Sequence, residues 1–197
     1  MRFPALAIMA CAGLAAYFPA DPGLAIPGES PNRFVERAGT ATRQAILDAG
    51  RKLIGTTEAT GRNDGPIIEA IQKTAGIRKG DPYCAAFNYW CYREAGHAAI
   101  APRSGWSPDW VAKPTWKQGA GRLPRPADAF GIYFASKGRV AHTGLIEEWH
   151  GSSVLTIEAN TSPAAAVGSA GDRNGDGIWR KRRLVSQIHA VRDWIGE

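Results

Sequence analysis

The chain has 197 residues, of which 44% are hydrophobic and 21% charged, enough for one substantial core with little room for a second domain. Its formal net charge of +6 favours an acidic partner. No nucleic-acid recognition motif accompanies the basic run Trp179-Arg180-Lys181-Arg182-Arg183-Leu184, so that run reads as a solvated strand face or a contact with an anionic cell envelope.

At the N-terminus, Met1-Arg2-Phe3-Pro4 places one positive charge ahead of an apolar run from Ala5 to Phe18 that is too short for a comfortable membrane span. Residues 1–25 read as a secretory signal, so a secreted, periplasmic or envelope location is expected, with no stable membrane insertion once the signal is removed. Phe18-Pro19-Ala20 and Gly23-Leu24-Ala25 are the two cleavage candidates. Cys11 is a lipid-attachment alternative that the preceding Met9 fits poorly. Residues 26–39, with Pro27, Gly28, Pro31 and Gly39, read as a linker, which leaves 40–197 as the folded domain.

Within that domain, Ala45, Ile46, Ala49, Leu53 and Ile54 recur at helical spacing, so a first helix is predicted from Thr40 to about Ile54, with Gly55 as its stop. A second follows Asn63-Asp64-Gly65-Pro66 and uses Ile67, Ile68, Ile71 and Ala75 before Gly76. The third begins in Gly80-Asp81-Pro82-Tyr83-Cys84-Ala85-Ala86-Phe87. There Asp81 is a good N-cap, Pro82 suits the first helical position, and Cys84, Phe87, Cys91 and Ala95 form one apolar stripe.

Cys84 thus falls in a first helical turn, where unpaired N–H groups and the positive end of the helix dipole favour a thiolate over a thiol of ordinary pKa about 8.5. Cys91, two turns later, has no such help and reads as a small buried hydrophobe. The two lie roughly 10 Å apart along a helix and cannot be bridged without breaking it. A secreted protein that keeps unpaired thiols usually has a use for one of them.

From His97 to Ala127 the chain is punctuated by five prolines and carries Trp106, Trp110 and Trp116, which either line a substrate groove or lid the core. Strands then follow at Ala129 to Ala135, Val140 to Trp149, Val154 to Glu158, Arg182 to Val185 and Ile188 to Trp194. Lys137-Gly138 and His150-Gly151-Ser152 are the hairpin turns. Helices first and an antiparallel sheet second make an α+β domain.

A thiol nucleophile needs a base and a group to orient that base. Of the four histidines, His97, His150 and His189 sit at a helix end, in a turn and in the last strand. His142 lies within a strand in Val140-Ala141-His142-Thr143-Gly144, where Gly144 shares its face and leaves room for the Cys84 helix or a substrate chain. On the next strand Glu158 and Asn160 share one face, and both can accept from an imidazole N–H. Asp172-Arg173-Asn174-Gly175-Asp176-Gly177 opens like a calcium loop, but Arg183 stands where the bidentate glutamate belongs, so it is read as a Gly-rich turn with no metal.

Tyr83-Cys84-Ala85-Ala86-Phe87-Asn88-Tyr89-Trp90, Ala141-His142-Thr143-Gly144 and Glu158-Ala159-Asn160-Thr161 together resemble the cysteine, histidine and Glu-x-Asn elements of CHAP domains, within the wider NlpC/P60 and papain-like group. The resemblance covers roughly residues 45 to 195. Tyr83 stands where the family often has Trp or Asp.

What the resemblance implies is a papain-like α+β fold, N-terminal helices packed on a C-terminal antiparallel sheet, and hydrolysis of an amide bond in peptidoglycan without a cofactor. By that analogy Cys84 attacks the carbonyl, His142 acts as base and then acid, Glu158 orients it and Asn160 supports the set. Backbone N–H groups at the helix start, joined by the Tyr83 side chain, would stabilise the oxyanion. Two other readings keep the scaffold. One is a catalytically inactive cell-wall module that holds glycan or peptide through the tryptophans and the basic strand. The other is a secreted antibacterial effector with the same chemistry, for which an inhibitor protein is an expected partner.

Overall fold

The computed structural model describes residue 28, residues 30–163 and residues 175–196. The signal and lipid-attachment readings of residues 1–25, and Asp172, Arg173 and Asn174 of the calcium-type run, lie outside them.

The first helix, α1 (Pro31–Arg51), begins well before the position its apolar spacing predicts, so residues 31–39 are helix and not linker. The Ser30 hydroxyl caps it by accepting from the Arg33 N–H at 3.4 Å, and Pro31 sits at the N-terminal position where its fixed φ assists a helix. Gly39 is carried inside at a cost of about 1 kcal/mol, which a helix of this length absorbs. The second helix, α2 (Pro66–Ala75), follows its predicted span and ends on Gly76 at φ 78°. It buries Ile68 and Ile71 but leaves Ile67 exposed.

The third helix, α3 (Cys84–Glu94), is buried on nearly every side rather than along one stripe. Ala85, Ala86, Phe87, Asn88, Tyr92 and Cys91 are all inaccessible to solvent, because α1 and α2 pack on it from one side and the sheet from the other. It is the central element of the larger core, with Ile46, Ile68, Ile71, Leu145 and Ile157 around it.

The strands are β1 (Trp116–Lys117), β2 (Ala120–Gly121), β3 (Ala129–Phe134), β4 (Arg139–His150), β5 (Ser153–Thr161), β6 (Gly177–Leu184) and β7 (Ala190–Arg192). They form one antiparallel sheet in the order β2-β1-β7-β3-β4-β5-β6. The first two are a short hairpin inside the proline-rich connection, turned by Gln118 and Gly119 at φ 48° and 90°. A second core, with Trp116, Phe130, Ile132, Ile146, Val154 and Val191, fills the other side of the sheet.

Strand β6 starts earlier than predicted and takes in the basic run, which is only half solvated. Arg180 and Arg182 face water, while Lys181 and Arg183 point inward and are buried. A buried ion cluster fastens the two halves of the domain. Arg43 of α1 bonds Asp128 at 2.7 Å and both oxygens of Asp193 at 3.0 Å, and Arg122 and Arg125 also reach Asp193.

Candidate active site

Tyr83, not Asp81, is the residue that precedes α3, and Cys84 is its first helical residue. The Asp81 carboxylate is turned backward to accept from the Arg78 N–H at 2.9 Å, so it closes a turn and does not cap the helix. Gln72 of α2 donates to the Asp81 carbonyl at 2.8 Å and to that of Asn63 at 2.9 Å, which pins this turn in place. The outcome for Cys84 is the one a cap at Asp81 would have served. Its thiol sits at the N-terminal end of the helix, among N–H groups with no partner inside it.

His142 pairs with Ile132 of β3 in the sheet and is fully buried. Its Nε2–H donates to Glu158 Oε2 at 2.7 Å. The other ring nitrogen, Nδ1, has no hydrogen bond of regular geometry, and the Cys84 thiol is the group that acts on the ring from outside β5. Glu158 is held in turn by Arg183, whose Nε donates to Oε1 at 2.6 Å and whose NH2 donates to Oε2, and by the Thr156 hydroxyl at 2.6 Å. Hydrogen bonds thus link His142, Glu158 and Arg183 in one buried relay, with the Cys84 thiol acting electrostatically on the open side of the imidazole.

The electrostatics follow from that chain. Burial pushes the Glu158 carboxyl up, but the Arg183 charge and its hydrogen bonds, with His142, outweigh it and hold Glu158 well below the usual carboxylate range. Burial pushes His142 down, yet the hydrogen bonds and charges of Cys84 and Glu158 lift it to about 9. For Cys84, burial is opposed by the His142 hydrogen bond and charge, by the Ser107 hydroxyl and by the Thr143 backbone, and the thiol falls below its ordinary value. The two shifts run in opposite directions and together move the pair toward a thiolate beside an imidazolium. Burial raises Cys91 instead, and its sulfur packs against Gly50 of α1.

Cys84 opens on a cavity of about 350 Å³, lined also by Asp81, Trp106, Ser107, Arg139 and Ala141. Ser107 Oγ lies 3.5 Å from Cys84 Sγ. Of the other residues singled out in the sequence, Trp106 is half exposed at this cavity, whereas Trp110 and Trp116 belong to the cores. Trp110 is wedged between Tyr92 and Trp194, and Trp116 meets Trp149 edge-on at 5.2 Å. Tyr83 is fully buried, with its hydroxyl donating to Glu58 at 3.2 Å and taking the Asn160 N–H, so its phenol is committed behind the helix start and not presented to the cavity.

Asn160 sits at a sheet irregularity at φ 56°, and its amide donates to Asn63 Oδ1 at 2.7 Å and to the Gly175 carbonyl at 3.3 Å. It ties the end of β5 to the loop ahead of α2; the imidazole is served by Glu158. The room beside Gly144 is filled as well: a Cβ there would meet Glu158 Cγ and Phe130 at 2.9 Å, so this glycine admits the carboxylate that holds His142. His150 pairs with Glu148 at the surface and His189 stacks near Tyr133, outside the relay.

Residues 76–160 match the family model of the CHAP domain. Over these residues the chain is similar to CHAP domains. No curated protein matches the chain. CHAP domains are generally hydrolases that act on peptidoglycan, typically at the cell wall. Cys84, His142, Glu158 and Asn160 lie inside the matched segment, and Arg183 lies beyond it. Sequence reasoning missed Arg183 and Ser107. For Arg183 strand period alone says that one pair of residues 180–183 is covered, but all four are basic and nothing in the sequence marks which pair. Ser107 lies in a connection with no periodicity to mark it.

Proposed function

We propose that this protein is an exported cysteine amidohydrolase or endopeptidase that cleaves an amide bond in peptidoglycan, with Cys84 as nucleophile, His142 as general base and acid, and Glu158 as the residue that orients it. The reading rests on the buried His142–Glu158–Arg183 relay together with a Cys84 thiol whose pKa, despite burial, His142 lowers and which lines a cavity beside Trp106.

In the proposed reaction the Cys84 thiolate attacks the carbonyl carbon and the carbonyl oxygen becomes an oxyanion. Backbone N–H groups at the start of α3 face that oxygen, with the Ser107 hydroxyl near the sulfur as a further donor. The His142 imidazolium gives its proton to the leaving amine as the C–N bond breaks, which leaves a thioester. His142, now neutral, takes a proton from water as the water adds to the thioester, and collapse releases the carboxylic acid and restores the thiolate with its imidazolium. Glu158 keeps the proton on Nε2 throughout, so Nδ1 is the nitrogen that exchanges protons with sulfur and substrate. Export is supported by the wall substrate and the apolar N-terminal run.

The test is digestion of purified sacculi followed by mass spectrometry of the released fragments. Wild-type protein is expected to release fragments with one new amine and one new carboxylate terminus. Cys84→Ala is expected to release none while keeping the wild-type unfolding transition. Equal fragment release by the two proteins would refute the proposal, and the masses identify the bond.

A further inference from the structure

The cavity at Cys84 contains a cation that no carboxylate among the described residues answers. Arg139, the first residue of β4, lays its guanidinium over the Trp106 indole with Cζ 3.8 Å from the ring centroid. Its NH1 donates to the Val140 carbonyl at 2.9 Å, and among the described residues no carboxylate pairs with it. The neighbouring acid at the cavity, Asp81, is engaged by the Arg78 N–H and, at 3.6 Å, by the Arg78 side chain. The rest of the lining is mainly apolar, with Ile77, Pro82 and Ala141.

The platform under Arg139 is built in advance. The Ser104 hydroxyl donates to Asp109 and accepts from the Trp106 N–H at 3.0 Å, which fixes the loop that carries the indole. Stacking covers one face of the guanidinium and leaves the remaining N–H edge open, and a planar fork of this kind matches a carboxylate through two parallel hydrogen bonds. A carboxamide could accept from that edge through its single oxygen, but it offers neither a second acceptor nor a charge.

We propose that Arg139, held by Trp106, is a subsite for a free carboxylate on the peptide residue next to the scissile amide. The assignment rests on the proposed peptide hydrolysis and names a chemical class of substrate for it: peptides with an anionic residue at that place, in preference to their carboxamide counterparts.

The test uses the full chain with Cys84→Ala, titrated calorimetrically with two synthetic stem-type peptides that differ only in a free carboxylate or a carboxamide at that residue. The free acid is expected to bind about tenfold more tightly. Adding Arg139→Met should abolish that preference without lowering the melting temperature, and Arg139→Lys should keep part of it. Equal affinities in the Cys84→Ala chain, a preference that survives Arg139→Met, or no binding of either peptide at millimolar concentration would overturn the assignment. Wild-type protein is incubated with the same peptides to separate the two claims. Preferential binding without cleavage supports the subsite and counts against hydrolysis, whereas cleavage of both peptides at equal kcat/KM supports hydrolysis and overturns the subsite.

Discussion

Arg183→Met isolates the end of the relay that lies farthest from the thiol. Arg183 and Glu158 are 2% and 0% exposed, and the guanidinium makes two hydrogen bonds to the carboxylate, so the figure for a buried pair applies and not that for a surface pair. Removing one partner leaves Glu158 as a buried charge held by His142 and Thr156 alone, at a cost of about 3–5 kcal/mol. That is a large part of the 5–15 kcal/mol typical of a domain. Urea unfolding monitored by tryptophan fluorescence measures the loss. The double variant Glu158→Leu/Arg183→Met removes both charges, so it is expected to lose less than the sum of the single variants. Sacculus digestion is expected to fall in all three, because the imidazole loses either its orienting carboxylate or that carboxylate's fixed charge. An Arg183→Met protein within about 1 kcal/mol of wild type, with additive single losses, would refute the claim that this pair is buried and coupled.

Other outcomes follow from the same geometry. Because the His142 proton is bound below about 9 and lost above it, kcat/KM on peptidoglycan fragments should fall as pH rises through about 9, and a rate still climbing there would contradict the imidazolium assignment. Iodoacetamide should label Cys84 below the pH at which an ordinary thiol reacts and spare Cys91; His142→Ala should move the Cys84 profile upward, and peptide mapping reads both effects. Gly144→Ala would crowd Glu158 and Phe130 at 2.9 Å, so we expect a stability loss of about 1–3 kcal/mol together with lost hydrolysis; unchanged activity would show that the carboxylate tolerates displacement. Asn160→Ala should lower the melting temperature while leaving the pH profile in place, since its amide bonds Asn63 and Gly175.

The parts legible in the sequence are those where periodicity and punctuation agree. Residues 66–75 carry isoleucines at helical spacing between Pro66 and Gly76, and β4 and β5 are bounded by turns at Gly138 and Gly151. Strand alternation narrows the partner of His142 to Glu158 or Asn160 on the adjacent strand, and the structure joins it to Glu158. Where local signals compete, reading fails: Pro31 looks like a breaker but opens α1, and Asp81 looks like a cap but bonds backward to Arg78. Polar residues in the interior are the hardest class, since Arg183, Lys181 and Arg43 are buried only because partners distant in the chain neutralise or bond them. For the same reason the tryptophans divided only once the fold was in view.

The separations within the relay set when the thiol becomes reactive. Cys84 belongs to a helix closed by local hydrogen bonds, but Arg183 reaches Glu158 across 25 residues and, outside the relay, Asp193 closes on Arg43 across 150. Contacts of such long range form slowly and late. A chain emerging N-terminus first therefore holds an ordinary cysteine until its last strands have docked, and reactivity at Cys84 becomes a report that the whole domain has finished folding.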